Sequence, residues 1–296
     1  MKSLLALSLM LSLSAWAGLK VGTYNIRNFD YDVREDIQTN KPELAQILLS
    51  LKFDLLGVNE INNGEELASF IKSKMPSYQV VLSNCGGRGG QSLGFIYNSK
   101  KIRLIEFTEE LGITNPEGQP TCNGSSRPMG VGKFENLETK EVFYSYQVHL
   151  KAGDNAEAQE KRALQYEFIK NYLKSAEAAG KKNYVVMGDF NTTGYLSRDQ
   201  DYKKFTAMLN ANKLTNLTAP LGCSAYWWGA TDDNTEIPSQ LDHIVMSAGY
   251  LSLKESTPKA QLHGHCKKVT CRPASSDSLG VSYQEVSDHC PMTVEI

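Results

Sequence analysis

Acidic, amide and imidazole side chains stand at the ends of several apolar segments that have the length of strands. The segment YVVMGDFNTTG, residues 184–194, carries Asp189 and Asn191, which project to the same side of an extended chain. Asp and Asn alone could be turn residues, but Glu and His are not turn formers. The set therefore indicates a functional site at strand ends, where catalytic groups usually lie. The other members are Asn25 in TYNIRNF, Glu60 in LLGVNE, His149 in YSYQVHLKAGD, Asp242 in QLDHIV, and Asp288 with His289 in VSDHCP.

These side chains suit one class of reaction. Asn25, Glu60 and Asp288 offer hard oxygen ligands of the kind that Mg2+ or Ca2+ accepts. His149 and His289 suit general acid–base catalysis, because an imidazole titrates near neutral pH. The remaining amide and carboxylates could orient a phosphoryl group and its nucleophile. Together they predict metal-assisted hydrolysis of a phosphoester.

The apolar periodicity of the sequence predicts the elements that would position these residues. We expect helices from a cap at Asn40, and over about 65–75, 155–178 and 202–209. Because strands and helices continue through the whole chain, the sequence predicts a layered α/β sandwich. The helix over 155–178 should bury Leu164, Phe168, Tyr172 and Leu173. Strands are expected over 19–26, 53–60, 79–82, 93–97, 131–134, 142–148, the apolar start of 184–194, 242–246 and from 292 onwards.

Composition and charge limit the class of protein. The chain has 296 residues, of which 41% are hydrophobic and 22% charged, as in an ordinary globular protein. Its 31 basic and 33 acidic residues give a formal charge of −2, which provides no global attraction to nucleic acid. Any site for a polyanion must therefore be a local patch.

The first 17 residues, MKSLLALSLMLSLSAWA, have the pattern of a secretory signal peptide: one Lys, a continuous apolar run and a small-x-small ending. We expect cleavage before Gly18, which leaves residues 18–296 as a single catalytic domain, secreted or periplasmic and bacterial in type. We expect no stable membrane anchor, because no later apolar run reaches the length of a span. The six cysteines suit an oxidising compartment, and the sequence does not choose among their possible pairings.

Several other residues have both a functional and an ordinary structural explanation. Trp227 and Trp228 could stack on nucleobases, or they could pack in the core or at a rim. His263 and His265 could bind a metal, but an exposed loop bounded by disulfides explains them more simply. His243 is expected to pack within its strand.

In their order along the chain, TYNIRNF, the strand ending in Glu60, HLKAGD, GDFN, LDHI and SDH resemble the endonuclease/exonuclease/phosphatase superfamily, and above all its deoxyribonuclease I branch. The resemblance spans residues 25–289. It implies a four-layer α/β sandwich, in which two packed mixed β-sheets are flanked by helices and the site lies at one end. It also implies a metal-dependent endonuclease that cleaves DNA with little sequence specificity and leaves 5′-phosphate ends.

The resemblance implies roles for individual residues. Asn25 and Glu60 resemble metal-binding positions, and Asp288 resembles a carboxylate near the same metal. The expected ion is Mg2+, with Ca2+ or Mn2+ as alternatives. Asp189 and Asn191 would orient the scissile phosphate and the attacking water.

The two histidines are expected to work as a pair. By the resemblance, His289 would activate water while Asp242 orients it, and His149 would protonate the leaving oxygen. In some members these roles are exchanged, so the pairing rather than each role is the prediction. The nuclease branch has an acid beside the histidine that matches His149, whereas this chain has Gln91 at that place.

Three arginines are candidates for binding substrate phosphates, because a guanidinium fork matches a phosphate well. Arg27 lies two residues after Asn25, Arg88 lies at the tip of the glycine loop over 86–90, and Arg127 follows the NGSS turn. The resemblance also suggests Cys85 as the disulfide partner of Cys122.

We expect DNA as the substrate and a monomeric enzyme. The alternative is a phosphodiesterase or phosphatase of another substrate such as sphingomyelin, because one fold can serve several phosphoesters. A catalytically inactive binding module is disfavoured, since every proposed acid, base and ligand position holds a competent side chain.

Overall fold

The computed structural model describes residues 18–229, 234–254 and 258–296, so the predicted signal peptide lies outside the described residues. The α-helices are α1 (Lys41–Leu51), α2 (Gly64–Lys74), α3 (Ala156–Ala178), α4 (Gln200–Ala211), α5 (Ala248–Leu251), α6 (Gly264–Lys268) and α7 (Ser276–Leu279). Short 3-10 helices span Leu111–Thr114 and Ala219–Leu221, and a π-helical segment spans Ser282–Val286. The strands are β1 (Lys20–Phe29), β2 (Tyr31–Asp32), β3 (Ile37–Gln38), β4 (Leu55–Ile61), β5 (Tyr78–Leu82), β6 (Ser92–Asn98), β7 (Ile102–Glu110), β8 (Met129–Asn136), β9 (Val142–His149), β10 (Tyr184–Asp189), β11 (Leu214–Asn216), β12 (Ala225–Trp227), β13 (Thr235–Ser239), β14 (Asp242–Ser247), β15 (Ala260–Leu262), β16 (Ala274–Ser275) and β17 (Met292–Glu295).

Two six-stranded sheets form the centre of the molecule. Their strand orders are β15-β17-β1-β4-β6-β5 and β11-β14-β10-β9-β8-β7. The two middle strands of each sheet are parallel, β1 with β4 and β9 with β10, and the other neighbours are antiparallel. Buried side chains from both sheets, such as Phe95 and Met187, form one apolar cluster between them. Both sheets are therefore mixed, as expected.

Helices cover the outer face of each sheet. Residues of α1 and α2 pack with β1 and β4 in one apolar cluster, and residues of α3 and α4 pack with β9 and β10 in another. The Asn40 side chain caps α1 by accepting a hydrogen bond from the Glu43 backbone N–H at 3.0 Å. The four-layer sandwich predicted above is confirmed.

Helix α3 buries a different face from the one predicted. Leu173 is buried, but Leu164, Phe168 and Tyr172 are only partly buried and line a shallow groove. The buried face instead includes Arg162, whose guanidinium donates to the carbonyls of residues 151 and 153 and pairs with a buried carboxylate at residue 201. The spacing of apolar residues does not reveal a buried helix face that contains a charged side chain with its hydrogen-bond and ion-pair partners.

All six cysteines are paired, as Cys85–Cys122, Cys223–Cys271 and Cys266–Cys290. The first pair is the one that the resemblance suggested. The expected exposed loop around His263 and His265 is wrong: His265 is buried between two tyrosine rings in a compact apolar cluster. His265 also has no intact thiolate beside it, because the adjacent cysteines form a disulfide.

Candidate active site

The parallel strands at the middle of each sheet bring the polar strand ends together. In the second sheet, Asp189 pairs with His149 on one side and with Asp242 on the other. In the first sheet, Asn25 pairs with Asn59, the residue before Glu60. Because parallel strands end at the same edge of a sheet, these side chains meet at one end of the sandwich.

Glu60 is aimed into the site by an irregularity in β4. Its φ angle is 61°, in the left-handed region that few non-glycine residues adopt, and the pairing of β4 with both neighbours shifts register around it. Its carboxylate accepts hydrogen bonds from the Asn25 side chain at 3.0 Å, the Asn28 backbone N–H at 3.2 Å and the Gln91 side chain at 2.8 Å. Strained backbone held by such a network is typical of functional sites.

Glu60 and Asp189 are two carboxylates that face one imidazole. The His149 Nε2 atom lies 3.6 Å from Glu60 Oε1 and 3.5 Å from Asp189 Oδ2. Burial raises the pKa of Glu60, and the nearby charge of Asp288 raises it further. Burial also raises the pKa of Asp189, to about 7. The raised pKa values mean that the neighbouring positive charges do not fully stabilise the ionised forms of these two carboxylates.

His289 forms a tight pair with Asp242. The distance from His289 Nδ1 to Asp242 Oδ2 is 2.7 Å, and Ser224 donates to the same carboxylate oxygen at 2.8 Å. Burial opposes the protonated imidazole, but the charges of Asp242 and Asp189 outweigh it and raise the pKa of His289 well above its usual value. The carboxylates around His289 therefore favour the form of the ring with a proton on both nitrogens.

His149 is in the opposite state. Burial, followed by the positive charges of Arg127 and His289, holds the pKa of its imidazole well below the usual value. The expectation that Gln91 stands beside His149 is wrong, because Gln91 instead donates to Glu60 and Asn28 and accepts from Arg127. Gln91 thus links the carboxylate cluster to a guanidinium.

Asn191 forms hydrogen bonds within the protein and also lines the cavity. Its backbone N–H donates to Asp189 Oδ1 at 2.8 Å, and its carboxamide donates to the Leu150 carbonyl at 3.1 Å. Its φ angle of 50° is one that Asn tolerates better than most residues do. The side chain lines the same cavity as Asp189, His149 and His289, so its predicted place in the site fits the geometry.

The arginines divide into three groups. Arg127 lines the cavity beside Gln91, and Arg34, which the sequence reasoning missed, lines it from the β2–β3 hairpin. Arg27 also lines the cavity, but its guanidinium donates to the Tyr283 carbonyl at 3.4 Å and to the carbonyl of residue 284 at 2.8 Å. Arg88 is exposed and is not among the described lining residues. Arg34 lies on a turn and belongs to no motif, so the sequence alone does not identify it as a residue of the site.

One surface cavity of about 800 Å³ is lined by Glu60, His149, Asp189, Asn191, Asp288 and His289. In a comparison with known protein families, residues 22–289 match the model of the Endonuclease/Exonuclease/phosphatase family. The chain belongs to the endonuclease/exonuclease/phosphatase family. Members of this family are hydrolytic phosphoesterases.

Solved structures of the same family share the fold at low sequence identity. The match with mannosyl-6-phosphatase from Bacteroides thetaiotaomicron has a TM-score of 0.62 at 17% identity and covers 94% of this chain and 98% of that chain. The human Nocturnin catalytic domain with bound sulfate gives 0.64 at 15% identity, with 94% of each chain covered. TDP2 from D. rerio, complexed with single-stranded DNA product, gives 0.64 at 16%, covering 94% and 98%. None of the curated proteins matches the chain in sequence.

Members of the endonuclease/exonuclease/phosphatase family generally depend on a divalent metal ion, and the donor set of this site fits one. A carboxylate oxygen of Glu60 lies within 4.8 Å of a carboxylate oxygen of Asp189. A partly buried carboxylate beside a buried one, both with raised pKa values, is costly without a cation between them. The Asn25 amide donates to both carboxylates, at 3.0 and 3.2 Å, and its oxygen accepts the Arg27 backbone N–H at 3.1 Å, so Asn25 holds the two carboxylates side by side. Asp288 lines the same cavity.

His243 packs as expected and does not reach the cavity. It is buried beside Phe205, with ring centroids 4.6 Å apart, and its Nε2 lies 2.7 Å from Thr192 Oγ1. Burial lowers the pKa of His243 to about 3, so the ring is neutral. In the described part of the chain, no helix is both long and apolar enough to cross a membrane.

Proposed function

We propose that this chain is an exported, metal-dependent endonuclease that hydrolyses DNA phosphodiester bonds with little sequence specificity and leaves 5′-phosphate ends. The observation that carries the proposal is the convergence of two imidazoles on one carboxylate. The Nε2 atoms of His149 and His289 lie 3.5 and 3.9 Å from Asp189 Oδ2, and their surroundings lower the pKa of His149 and raise that of His289. A base and an acid on either side of one reacting phosphate are what hydrolysis of a phosphodiester requires.

The protonation states suggest which histidine does which job. Neutral His149 has the free lone pair and would accept a proton from the attacking water as the new P–O bond forms. Protonated His289 would donate its Nε2 proton to the 3′ oxygen as the P–O3′ bond breaks, which leaves the phosphate on the 5′ end. This order exchanges the roles expected from the resemblance. A divalent ion held by Glu60, with Asn25 and Asp288 near it, would offset negative charge on the phosphate oxygens.

Asp189 and Asn191 would position the phosphate between the histidines. Asp189 is held in place because it pairs with His149 on one neighbouring strand and with Asp242 on the other. Its Oδ1 also accepts a hydrogen bond from the Asn191 backbone N–H. Asn191 is held by the Leu150 carbonyl, in the segment directly after His149. The two residues thus tie the end of β10 to the end of β9.

Two solved structures with a similar fold suggest classes of substrate. The TDP2 structure contains a single-stranded DNA product, which supports a polynucleotide. The phosphatase likeness favours the alternative, a phosphodiesterase or phosphatase of another substrate such as sphingomyelin or a sugar phosphate. Arg34 and Arg127 at the cavity wall would bind the phosphates of any of these.

Export is supported by the cysteines. All six form disulfides, and such bonds persist in oxidising compartments. The leader-like sequence over 1–17 supports the same proposal from outside the described residues. The proposed location is the periplasm or the extracellular medium.

One assay tests the proposed function. The purified protein is incubated with plasmid DNA, RNA, sphingomyelin and a sugar phosphate, each with Mg2+, Ca2+, Mn2+ or EDTA. We expect nicked and then fragmented plasmid with metal and none with EDTA, and new ends that carry 5′-phosphate. Hydrolysis of sphingomyelin or the sugar phosphate beside inert DNA would replace this proposal with the alternative.

The arginines predict different effects on binding and on rate. Arg127→Ala should weaken DNA binding and reduce the slope of log affinity against log salt by about one unit, because it removes one phosphate contact. Arg27→Ala should lower kcat and leave the slope unchanged, because Arg27 holds the backbone just before Asp288 and His289. Binding is measured without metal, and Arg88→Ala serves as the control. Equal changes of slope for Arg27→Ala and Arg127→Ala would contradict the division.

A further inference from the structure

Two large aromatic side chains stand exposed at the rim of the cavity. Trp227 is 42% exposed and Trp228 is 63% exposed, and both line the same cavity as His289 and Asp288. Indoles are usually well buried, so two consecutive exposed ones indicate a binding surface. Of the alternatives to stacking, packing in the core is therefore wrong for both, and a position at a rim is what the structure shows.

The strand that carries these indoles is fixed directly to the catalytic end of the chain. Ala225 forms a bridge with His289, and the Tyr226 backbone N–H donates to the Asp288 carbonyl at 2.9 Å. Tyr226 points inward, and its hydroxyl donates to the Arg272 carbonyl at 2.8 Å. Trp227 points to the opposite face and lies about 7 Å along the strand from Ala225. The indoles therefore lie on a strand that is hydrogen-bonded to the segment of Asp288 and His289, at the rim of the same cavity.

The charges around the cavity do not suit an intact duplex. The lysines and arginines among the described lining residues are Arg27, Arg34 and Arg127, and Arg27 is already committed to backbone carbonyls. A duplex held at about 6–10 phosphates needs a cation at most of those contacts, which is more than this cavity lining provides. Stacking on aromatic side chains, by contrast, is how proteins bind single strands, whose bases expose their faces.

We infer that Trp227 and Trp228 form a stacking subsite for an unpaired nucleobase next to the scissile phosphate, so that single-stranded or frayed DNA is preferred over intact duplex. The inference rests on the proposed function and adds the form of the substrate to it. The occupant is a base rather than a lipid, because the indoles are continuous with a cavity lined by carboxylates, imidazoles and guanidinium groups.

The tryptophan content of the chain makes the subsite directly observable. The full sequence has 3 tryptophans, and one of them, Trp16, lies in the predicted signal peptide. In the chain from Gly18 onwards, all tryptophan fluorescence therefore comes from the two rim residues. Binding is measured in EDTA, so that no cleavage occurs, with a short oligothymidylate, an abasic oligomer of equal length, the matching blunt duplex, and sphingomyelin vesicles.

We expect the oligothymidylate to quench the fluorescence and to bind more tightly than the duplex, and the abasic oligomer to quench little. Trp227→Ala and Trp228→Ala should each weaken oligothymidylate binding by about 5- to 150-fold, with little change for the abasic oligomer. For the tryptophan variants, binding is measured by the fluorescence anisotropy of labelled oligomers. Ile105→Ala is the matched control, because Ile105 is 43% exposed but lies outside the cavity lining.

Equal binding of oligothymidylate and the abasic oligomer, unchanged binding by both tryptophan variants, or quenching by vesicles alone would overturn the inference. Those outcomes leave the proposed function standing wherever the wild-type protein still cuts plasmid DNA. Quenching by oligothymidylate in a protein that cuts no DNA would instead support the subsite and remove the proposed function.

Discussion

Glu60→Gln should reduce DNA cleavage by more than about 100-fold, and it should abolish most of the response to divalent metal. Glu60 is the carboxylate on which the amides of Asn25 and Gln91 converge, and one of its oxygens forms a donor cluster with a carboxylate oxygen of Asp189. Loss of a residue that only supports a ligand typically costs about 10- to 100-fold in metal affinity or activity, so loss of a ligand should cost more. Part of the loss should be recovered at high Mg2+ concentration.

A second measurement separates the loss of metal binding from the loss of fold. A carboxyl group with a raised folded pKa contributes stability below its unfolded pKa, and that contribution disappears as the pH rises through the folded pKa. Ionised Glu60 is therefore a cost to the metal-free protein at neutral pH, and the variant removes this cost together with some accepted hydrogen bonds. The unfolding temperature of the variant in EDTA should stay close to that of the wild type, while the upward shift that Mg2+ produces should disappear.

Glu35→Gln is the matched control for this experiment. Glu35 lines the same cavity but lies outside the donor cluster, so its variant should keep both the metal response and the cleavage rate. Wild-type cleavage by Glu60→Gln at limiting metal would show that the ion binds elsewhere. A large fall of its unfolding temperature in EDTA would show that the residue acts through the fold.

The sequence predicted the elements and the strand ends well, because both depend on local patterns. Asn40 caps α1 as its position before a helical apolar stripe indicated, and His149, Asp189 and Asp242 meet because they end adjacent strands. The apolar alternation of β7 is weak, because it is an edge strand with several exposed or half-buried side chains, and it was not predicted. Local patterns identify an element when one of its faces is uniformly apolar.

Contacts between distant segments could not be predicted in this way. Arg27 lies in the NIRNF motif, yet the structure directs its guanidinium to carbonyls of residues 283 and 284. Gln91 sits where an acid was expected, but the fold turns it towards Glu60 rather than His149. Ser224 supports Asp242 across 18 residues of chain without any motif. Each of these contacts depends on how two sheets and their loops pack, and the chain carries no periodic signal for that.

His149→Ala and His289→Ala should each reduce DNA cleavage by about 10²- to 10⁴-fold, which is the usual contribution of a general acid or base. Replacing both should cost far less than the product of the single losses, because the two groups act in one step. His263→Gln is the control, since His263 is a partly buried histidine outside the cavity lining. Full multiplicative loss in the double variant would contradict the pairing.

A substrate with a good leaving group separates the two roles. The p-nitrophenyl ester of thymidine 5′-phosphate releases p-nitrophenolate, which departs without a proton. If protonated His289 is the acid, His289→Ala should recover most of its rate on this ester relative to DNA. His149→Ala should stay slow on both, because the attacking water still needs a base. Recovery by His149→Ala instead would restore the order that the resemblance implied.

The pH dependence tests the same assignment without a change of substrate. A base must be unprotonated, so the acid limb of kcat/KM belongs to His149, whose lowered pKa places that limb below the usual range of an imidazole. An acid must be protonated, so the alkaline limb belongs to His289, whose raised pKa places it above that range. His149→Ala should therefore lose the acid limb and His289→Ala the alkaline limb. If each variant loses the other limb, the buried imidazole is the proton donor, and binding of metal and substrate must reverse the protonation states of the free enzyme.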